Sequence, residues 1–236
     1  MKEFNFEKEM VYGRKHLNKL QYNISDYNFI NLVTDLFETE LNELHKISYN
    51  NYELFTELGN DTHTEFHNIF YNKLKNELNE IKYEYSRFIN NIILPYLELD
   101  EALVQTFPTL RIQLPNNVAI VLNHHDSDNK HNHPTGEINF IYAFTDMFDT
   151  NTVYVEKMPR FENYIPIILK AGECICFNGN KCNHYNRINE TGKTRVSWDF
   201  RILPLNYYNK DNDMVSVTKR KKYIEGHYYT RYKLVE

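Results

Sequence analysis

Five of the ten histidines fall between residues 124 and 184: His124, His125, His131, His133 and His184. The first four stand close to Asp126, Asp128 and Glu137. Imidazole nitrogens and carboxylate oxygens are the donors that first-row transition metals take, so this density reads first as a metal site. Within it, His124-x-Asp126 follows the apolar run Val118–Leu122. Residues i and i+2 of an extended strand point to one side, so His124 and Asp126 can reach one ion. A third donor must come from elsewhere in the chain. His184, 60 residues on in Asn180-Lys181-Cys182-Asn183-His184, is the natural candidate.

Two imidazoles and one carboxylate on one side of an ion leave its other side open, as in non-haem iron(II) oxygenases. A chelating keto acid and oxygen can take the open positions. Zinc favours a more closed, tetrahedral set. A competing ligand pair, His133 and Glu137 in His133-Pro134-Thr135-Gly136-Glu137, needs a turn between the donors, which Gly136 permits. Arg195 follows His184 by 11 residues, past a turn at Thr191-Gly192. It is expected to begin the next strand, antiparallel to the one holding His184. A guanidinium there can grip a carboxylate with two charge-assisted bonds. Asn139 and Gln113 are amides within apolar strands, and an unpartnered buried amide costs about 1–3 kcal/mol. Each is expected to face a site or a backbone group, and both are candidates for co-substrate binding.

Several neighbours have plainer readings. His125 should point away from His124, toward packing or solvent. His131 and His133 should lie near the pocket mouth, as substrate contacts or plain loop residues. Trp198 and Cys182 read as core. Cys174 and Cys176 share one strand face, which suits reduced thiols better than a disulfide framework. His63 and His67 have metal-pair spacing, but no HExxH accompanies them, so a surface or packing role is expected.

The elements that must position these residues change character near residue 100. Before it, Ser25 and Asp26 could cap a helix with apolar positions from Phe29 to Leu44. A longer helix is expected from the Asp61–Glu65 segment through Phe66 to Ile92, stopping at Pro95. From 109 to 204 short β segments alternate with turns: Leu110–Leu114, Val118–Asn123, Glu137–Phe144, Thr152–Glu156, Ile165–Leu169, Glu173–Phe177, Cys182–Ile188 and Arg195–Leu203. The expected fold is α+β: a jelly roll of about eight strands with the N-terminal helices packed outside it. One domain over residues 1–236 is expected, with 1–100 helical, 109–204 the jelly-roll core and 205–236 an irregular tail.

Composition narrows the class. A formal charge of −5 argues against a nucleic-acid binder. The basic run Lys219–Lys222 reads as a solvated turn. No apolar stretch approaches a membrane span, and MKEFNFEKEM lacks the core of a secretory signal, so a cytoplasmic protein with no membrane partner is expected. The oligomeric state is open.

The stretch from about Thr109 to Pro204 resembles the 2-oxoglutarate/iron(II) dioxygenases of the double-stranded β-helix fold. The resemblance is carried by HxD after an apolar strand, a distal His and an Arg about ten residues further. The order HHDSD…HPTGEINF…TNTVYVE…GECICFNGNKCNH…NETGKTRVSWDFRILP looks closest to bacterial dioxygenases of natural-product and sugar biosynthesis. It is also similar to the phytanoyl-CoA hydroxylase branch. The resemblance implies that His124, Asp126 and His184 bind Fe(II) and Arg195 binds 2-oxoglutarate. Oxygen would be the co-substrate, ascorbate an in-vitro reductant and a small metabolite the substrate. Hydroxylation is the implied outcome, and a carboxylate at Asp126 argues against halogenation. Two other readings stand beside it: a β-sandwich binding or regulatory protein with a structural or zinc site, and a hydroxylase of protein side chains.

Overall fold

The segment Arg195–Pro204 alternates charged or polar side chains at 195, 197, 199 and 201 with apolar ones at 196, 198, 200 and 202. Successive strand residues face opposite ways, so this pattern calls for one apolar and one polar face. A computed structural model of the protein describes residues 15–47, 64–75, 79–117, 123–217 and 220–234, and there the segment is a strand buried along its whole length.

In chain order the strands are β1 (Asn18–Lys19), β2 (Glu101–Gln105), β3 (Thr109–Gln113), β4 (Ile138–Ala143), β5 (Val153–Glu156), β6 (Tyr164–Pro166), β7 (Cys174–Phe177), β8 (His184–Asn186), β9 (Arg195–Pro204) and β10 (Tyr229–Lys233). The larger sheet runs β1-β7-β4-β9-β2-β10, with β3 also on β9; the smaller runs β6-β5-β8. All these pairings are antiparallel. The long β9 organises the larger sheet: Arg195–Asp199 pair with β3, Ile202–Pro204 with β2, and the other edge with β4.

The helices α1 (Phe29–Phe37), α2 (Glu65–Lys75), α3 (Glu80–Phe88) and the short α4 (Leu94–Leu97) contribute to one core with the apolar face of the larger sheet. Val196, Trp198, Phe200 and Ile202 meet Phe29, Phe70, Tyr85 and Phe88 there, together with Cys174 and Cys176. The Phe29 and Trp198 rings lie edge to face at 4.9 Å, and those of Tyr85 and Phe200 at 5.5 Å. Fully burying such a side chain contributes about 1.5–3 kcal/mol, so this layer fixes which face of β9 turns inward. Trp198 is core, as its sequence context suggests. The opposite face of the larger sheet meets the smaller sheet through Ile141, Ala143, Ile175 and Phe177 against Val153 and Val155. Cys182 belongs to this second cluster, and no disulfide joins the three buried cysteines. The polar residues of β9 open into the space between the sheets.

The two-layer β architecture with outer helices matches expectation, but several details differ. The long helix is interrupted at Asn79, which has an extended backbone and caps α3 through its side-chain Oδ1, accepting from the Ile81 and Lys82 amides. Pro95 does not stop it; a π-helical turn at Ile89–Ile93 leads into α4, and Pro95 stands at the start of that element. Ser25 and Asp26 lie in a separate short 3-10 turn, and α1 ends at Phe37. Glu101–Gln105, outside the expected strands, is β2. The tail after Pro204 is not wholly irregular: Tyr229–Lys233 completes the sheet edge along β2. β2 is buried on both faces from Ala102 to Gln105 and so shows no alternation, while β10 is mostly exposed and carries tyrosines and charges. The expected strand at 118–122 and His63 lie outside the described residues, while His67 is packed and bonded to Thr64.

Candidate metal centre

His184 sits in β8, between β5 and an isolated antiparallel bridge to His124. The His184 amide donates to the His124 carbonyl at 2.8 Å, and the reverse bond is 3.2 Å. This pairing brings the two rings to 4.4 Å between centroids. Asp126 follows in a turn rather than a strand, so it shares the site by chain reversal and not by strand parity. Its amide donates to the Gly179 carbonyl at 2.9 Å, and the Ser127 amide and hydroxyl both donate to Asn180. The loop ahead of β8 and the loop after His124 are thus stitched together by backbone bonds.

The outcome is a convergent donor set. Asp126 Oδ1 lies 3.5 Å from His124 Nε2 and 3.6 Å from His184 Nε2. One donor atom from each of the three residues falls within 4.8 Å of the others. His184 Nδ1 stands 3.1 Å from the Cys182 carbonyl. A carbonyl can only accept, so Nδ1 carries the hydrogen and Nε2 presents its lone pair to the centre. Burial lowers the His184 pKa to about 4, although Asp126 pulls it up, which keeps the imidazole neutral and able to ligate. Burial alone would raise the Asp126 carboxyl. The Arg201 guanidinium, aided by His124, instead holds it well below the usual range.

The rest of the polar face completes the site. Arg195 is 1% exposed, donates from Nη1 to Ser197 Oγ at 3.3 Å, and lines the same cleft as His124, Asp126 and His184. Its strand is not the antiparallel neighbour of β8, contrary to the sequence reading. The Asn189–Gly192 turn carries the chain across to the larger sheet, so Arg195 faces His184 from the opposite wall. Gln113 is the register partner of Arg195 and donates to the Arg187 carbonyl at 2.6 Å. Asn139 donates at 2.6 Å to Asp126 Oδ2, so it holds the Asp126 carboxylate in place. Arg111, Arg187 and Arg201 are the three arginines the sequence offers as possible pocket-lining cations, and of these Arg111 and Arg201 line the cleft, paired with Asp199 at 2.7 and 2.9 Å. Arg187 instead stacks over Tyr154 at 4.2 Å on the other face of the smaller sheet.

The competing pair is occupied by other bonds. His133 Nδ1 and Glu137 Oε2 are 2.7 Å apart, and the Tyr229 hydroxyl donates to Glu137 Oε1. Asp126, His133 and Glu137 also cluster. Arg201 lies 2.9 Å from Asp126 and 3.8 Å from Glu137, so a guanidinium already supplies the positive charge there. His131 lies with its ring 4.1 Å from that of His124 and is bonded to Asp128, while His125 turns away to Asn183. The sequence marks Arg201 only as a possible pocket-lining cation and does not reveal its contact with Asp126, nor the part of Asp199 beside it. Their signal was present: both share the parity of Arg195 and Ser197 in a strand whose alternate residues 196, 198, 200 and 202 are apolar.

No family model matches the chain. It is 33% identical over 132 residues to the streptomycin biosynthesis protein StrG of Streptomyces griseus; the match covers 56% of this chain and 61% of that protein. Among solved structures, it is similar to CytC3 with Fe(II) and alpha-ketoglutarate (TM-score 0.47, 14% identity, covering 89% of this chain and 83% of that one). It is also similar to AviO1 from Streptomyces viridochromogenes Tue57 (TM-score 0.46, 11% identity, 86% and 96% covered). A third likeness is the non-heme alpha-ketoglutarate-dependent carbocyclase SnoK from nogalamycin biosynthesis (TM-score 0.45, 12% identity, 85% of each chain). None of the described helices is long and apolar enough to cross a membrane.

Proposed function

We propose that this chain is a non-haem iron(II), 2-oxoglutarate-dependent oxygenase that hydroxylates a small metabolite, a sugar, amino acid or natural-product intermediate, on a jelly-roll framework. The observation that carries the proposal is the convergence of His124, Asp126 and His184, with one Asp126 oxygen turned to both imidazoles and the other clamped away. Three protein donors suit an ion that must keep positions for co-substrates; structural zinc takes four. The resemblance to bacterial natural-product dioxygenases points the same way, and the phytanoyl-CoA branch is not needed for it.

Iron, when bound, supplies the redox chemistry that lets oxygen attack an unactivated C–H bond. The chain's residues do the rest. His184 offers a neutral nitrogen, His124 a second ring nitrogen, and Asp126 an oxygen kept ionised by Arg201. Arg195, on the facing wall, holds the far carboxylate of 2-oxoglutarate by charge-assisted bonds. Phe177, Ile141 and Val153 give the cleft an apolar side that excludes water near the reacting carbon.

Purified protein supplied with Fe(II), 2-oxoglutarate and ascorbate in air should form succinate, and His184→Ala should not. Succinate formation equal in the two proteins would reject the reading. Stoichiometric zinc retained through purification and bound without any keto-acid affinity would favour a structural metal instead.

A further inference from the structure

The acidic ligand of the centre is held in an unequal way. Asp126 Oδ1 faces the two imidazoles, whereas Oδ2 receives Asn139 Nδ2 at 2.6 Å and Arg201 Nε and Nη2, both at 2.9 Å. A carboxylate offers about four lone-pair sites over its two oxygens, so these donors saturate Oδ2. Resting on the metal-site reading above, we infer that Arg201, together with Asn139, is a positioning residue that restricts Asp126 to ligation through one oxygen.

The guanidinium cannot easily turn aside. Its Nη1 donates to Asp199 Oδ2 at 2.9 Å and to Gln105 Oε1 at 3.3 Å. Asp199 is gripped in turn by Arg111 Nε at 2.7 Å. Gln105 is fixed by its own bonds to the Phe107 carbonyl and Thr109 hydroxyl and by the Tyr228 hydroxyl. Arg201 sits in the middle of β9, paired to Asn139 of β4 in the sheet register, so the two clamping residues are themselves cross-strand neighbours. A cation that engaged both Asp126 oxygens would have to displace N–H donors from Oδ2 and approach a buried positive charge.

The consequence is chemical as well as structural. A carboxylate bound by two oxygens fills one more position around the ion than a carboxylate bound by one. That position is needed for the chelating co-substrate or for oxygen. Arg201 and Asn139 therefore keep the centre open, acting on co-substrate binding through Asp126 without touching the co-substrate.

The test uses the full chain with cobalt(II) as the metal probe and 2-oxoglutarate as the keto acid, comparing the parent protein, Arg201→Lys, Asn139→Ala and Arg201→Met by calorimetric titration. A crystal structure of the cobalt-loaded parent accompanies them. Arg201→Lys retains the charge but not the fork, so it remains informative if Arg201→Met fails to fold. The expected result is cobalt affinity within roughly tenfold of the parent, with 2-oxoglutarate affinity of the cobalt-loaded protein lowered by roughly tenfold or more in Arg201→Lys. A smaller loss of the same kind is expected in Asn139→Ala. The parent crystal should show cobalt on one Asp126 oxygen. Equal losses of metal and keto-acid affinity, or loss of metal affinity alone, would mark Arg201 as merely structural and overturn the inference. Both Asp126 oxygens on cobalt in the parent would do the same. A parent that binds no cobalt at all would defeat the metal-site reading itself, and this inference with it.

Discussion

His124 and His184 exchange backbone hydrogen bonds, 2.8 Å one way and 3.2 Å the other, across the open edge of the smaller sheet. That closure places two imidazoles and one Asp126 oxygen around a common point. Each of the three is expected to be indispensable. His124→Ala, Asp126→Ala or His184→Ala should weaken metal binding by more than the roughly 10–100-fold typical of outer-shell changes. Calorimetry with Fe(II) or Co(II) under nitrogen measures this, and parental affinity in His184→Ala would remove His184 from the ligand set.

The proposed function gives Arg195 the co-substrate and not the metal, which sets a separate expectation for it. Arg195→Ala should raise the KM for 2-oxoglutarate by roughly tenfold or more, the loss of a charge-assisted pair of about 1.5–3 kcal/mol. Metal affinity should stay near that of the parent. An unchanged KM with a lowered kcat would assign Arg195 a different task.

Acid should destabilise the metal-free protein through His184. Its pKa is about 4 in the folded state against 6.5 ordinarily, because burial disfavours the imidazolium. Between these values the unfolded chain binds a proton that the folded chain does not. Stability present above pH 6.5 is therefore lost as pH falls toward 4, by up to about 3 kcal/mol. Asp126, held below the carboxylate range, adds a loss at still lower pH. Urea unfolding of chelator-treated protein at pH 7 and pH 4.5 checks this, and His184→Gln should flatten the dependence.

Tyr229 tests the second cluster. Its hydroxyl donates to the buried Glu137 carboxylate, so Tyr229→Phe should cost about 1.5–3 kcal/mol of stability, the worth of a hydrogen bond to a charged group. Metal affinity should remain within a few fold. A loss of metal as severe as that of His184→Ala would restore Glu137 and His133 as ligands.

Gly179 is a site of close approach. A Cβ there would stand 2.7 Å from the Phe177 ring and 2.9 Å from the Asn139 side chain. Gly179→Ala should push Asn139 off Asp126 and reproduce the Asn139→Ala phenotype in keto-acid binding. Normal 2-oxoglutarate affinity in Gly179→Ala would show that the neighbours yield without disturbing the carboxylate.

Much of this protein could be read along the chain. Clustered histidines, the His124-x-Asp126 spacing and the distal His184 announced the donor types, and the alternation in 195–202 announced a strand with one apolar and one polar face. These are local properties: donor chemistry belongs to the side chain, and period-two patterning belongs to the backbone. What the chain order could not reveal is which strands become neighbours. β8 and β9 are consecutive in sequence yet lie in different sheets, so Arg195 confronts His184 across a cleft instead of beside it. Arg201 reaches Asp126 over 75 residues, and Tyr229 reaches Glu137 over 92, from a tail that carried little patterning of its own. Such contacts are set by how two sheets and a helical layer close over a shared core, where the loss of apolar surface to water is collective and carries no label on any single residue.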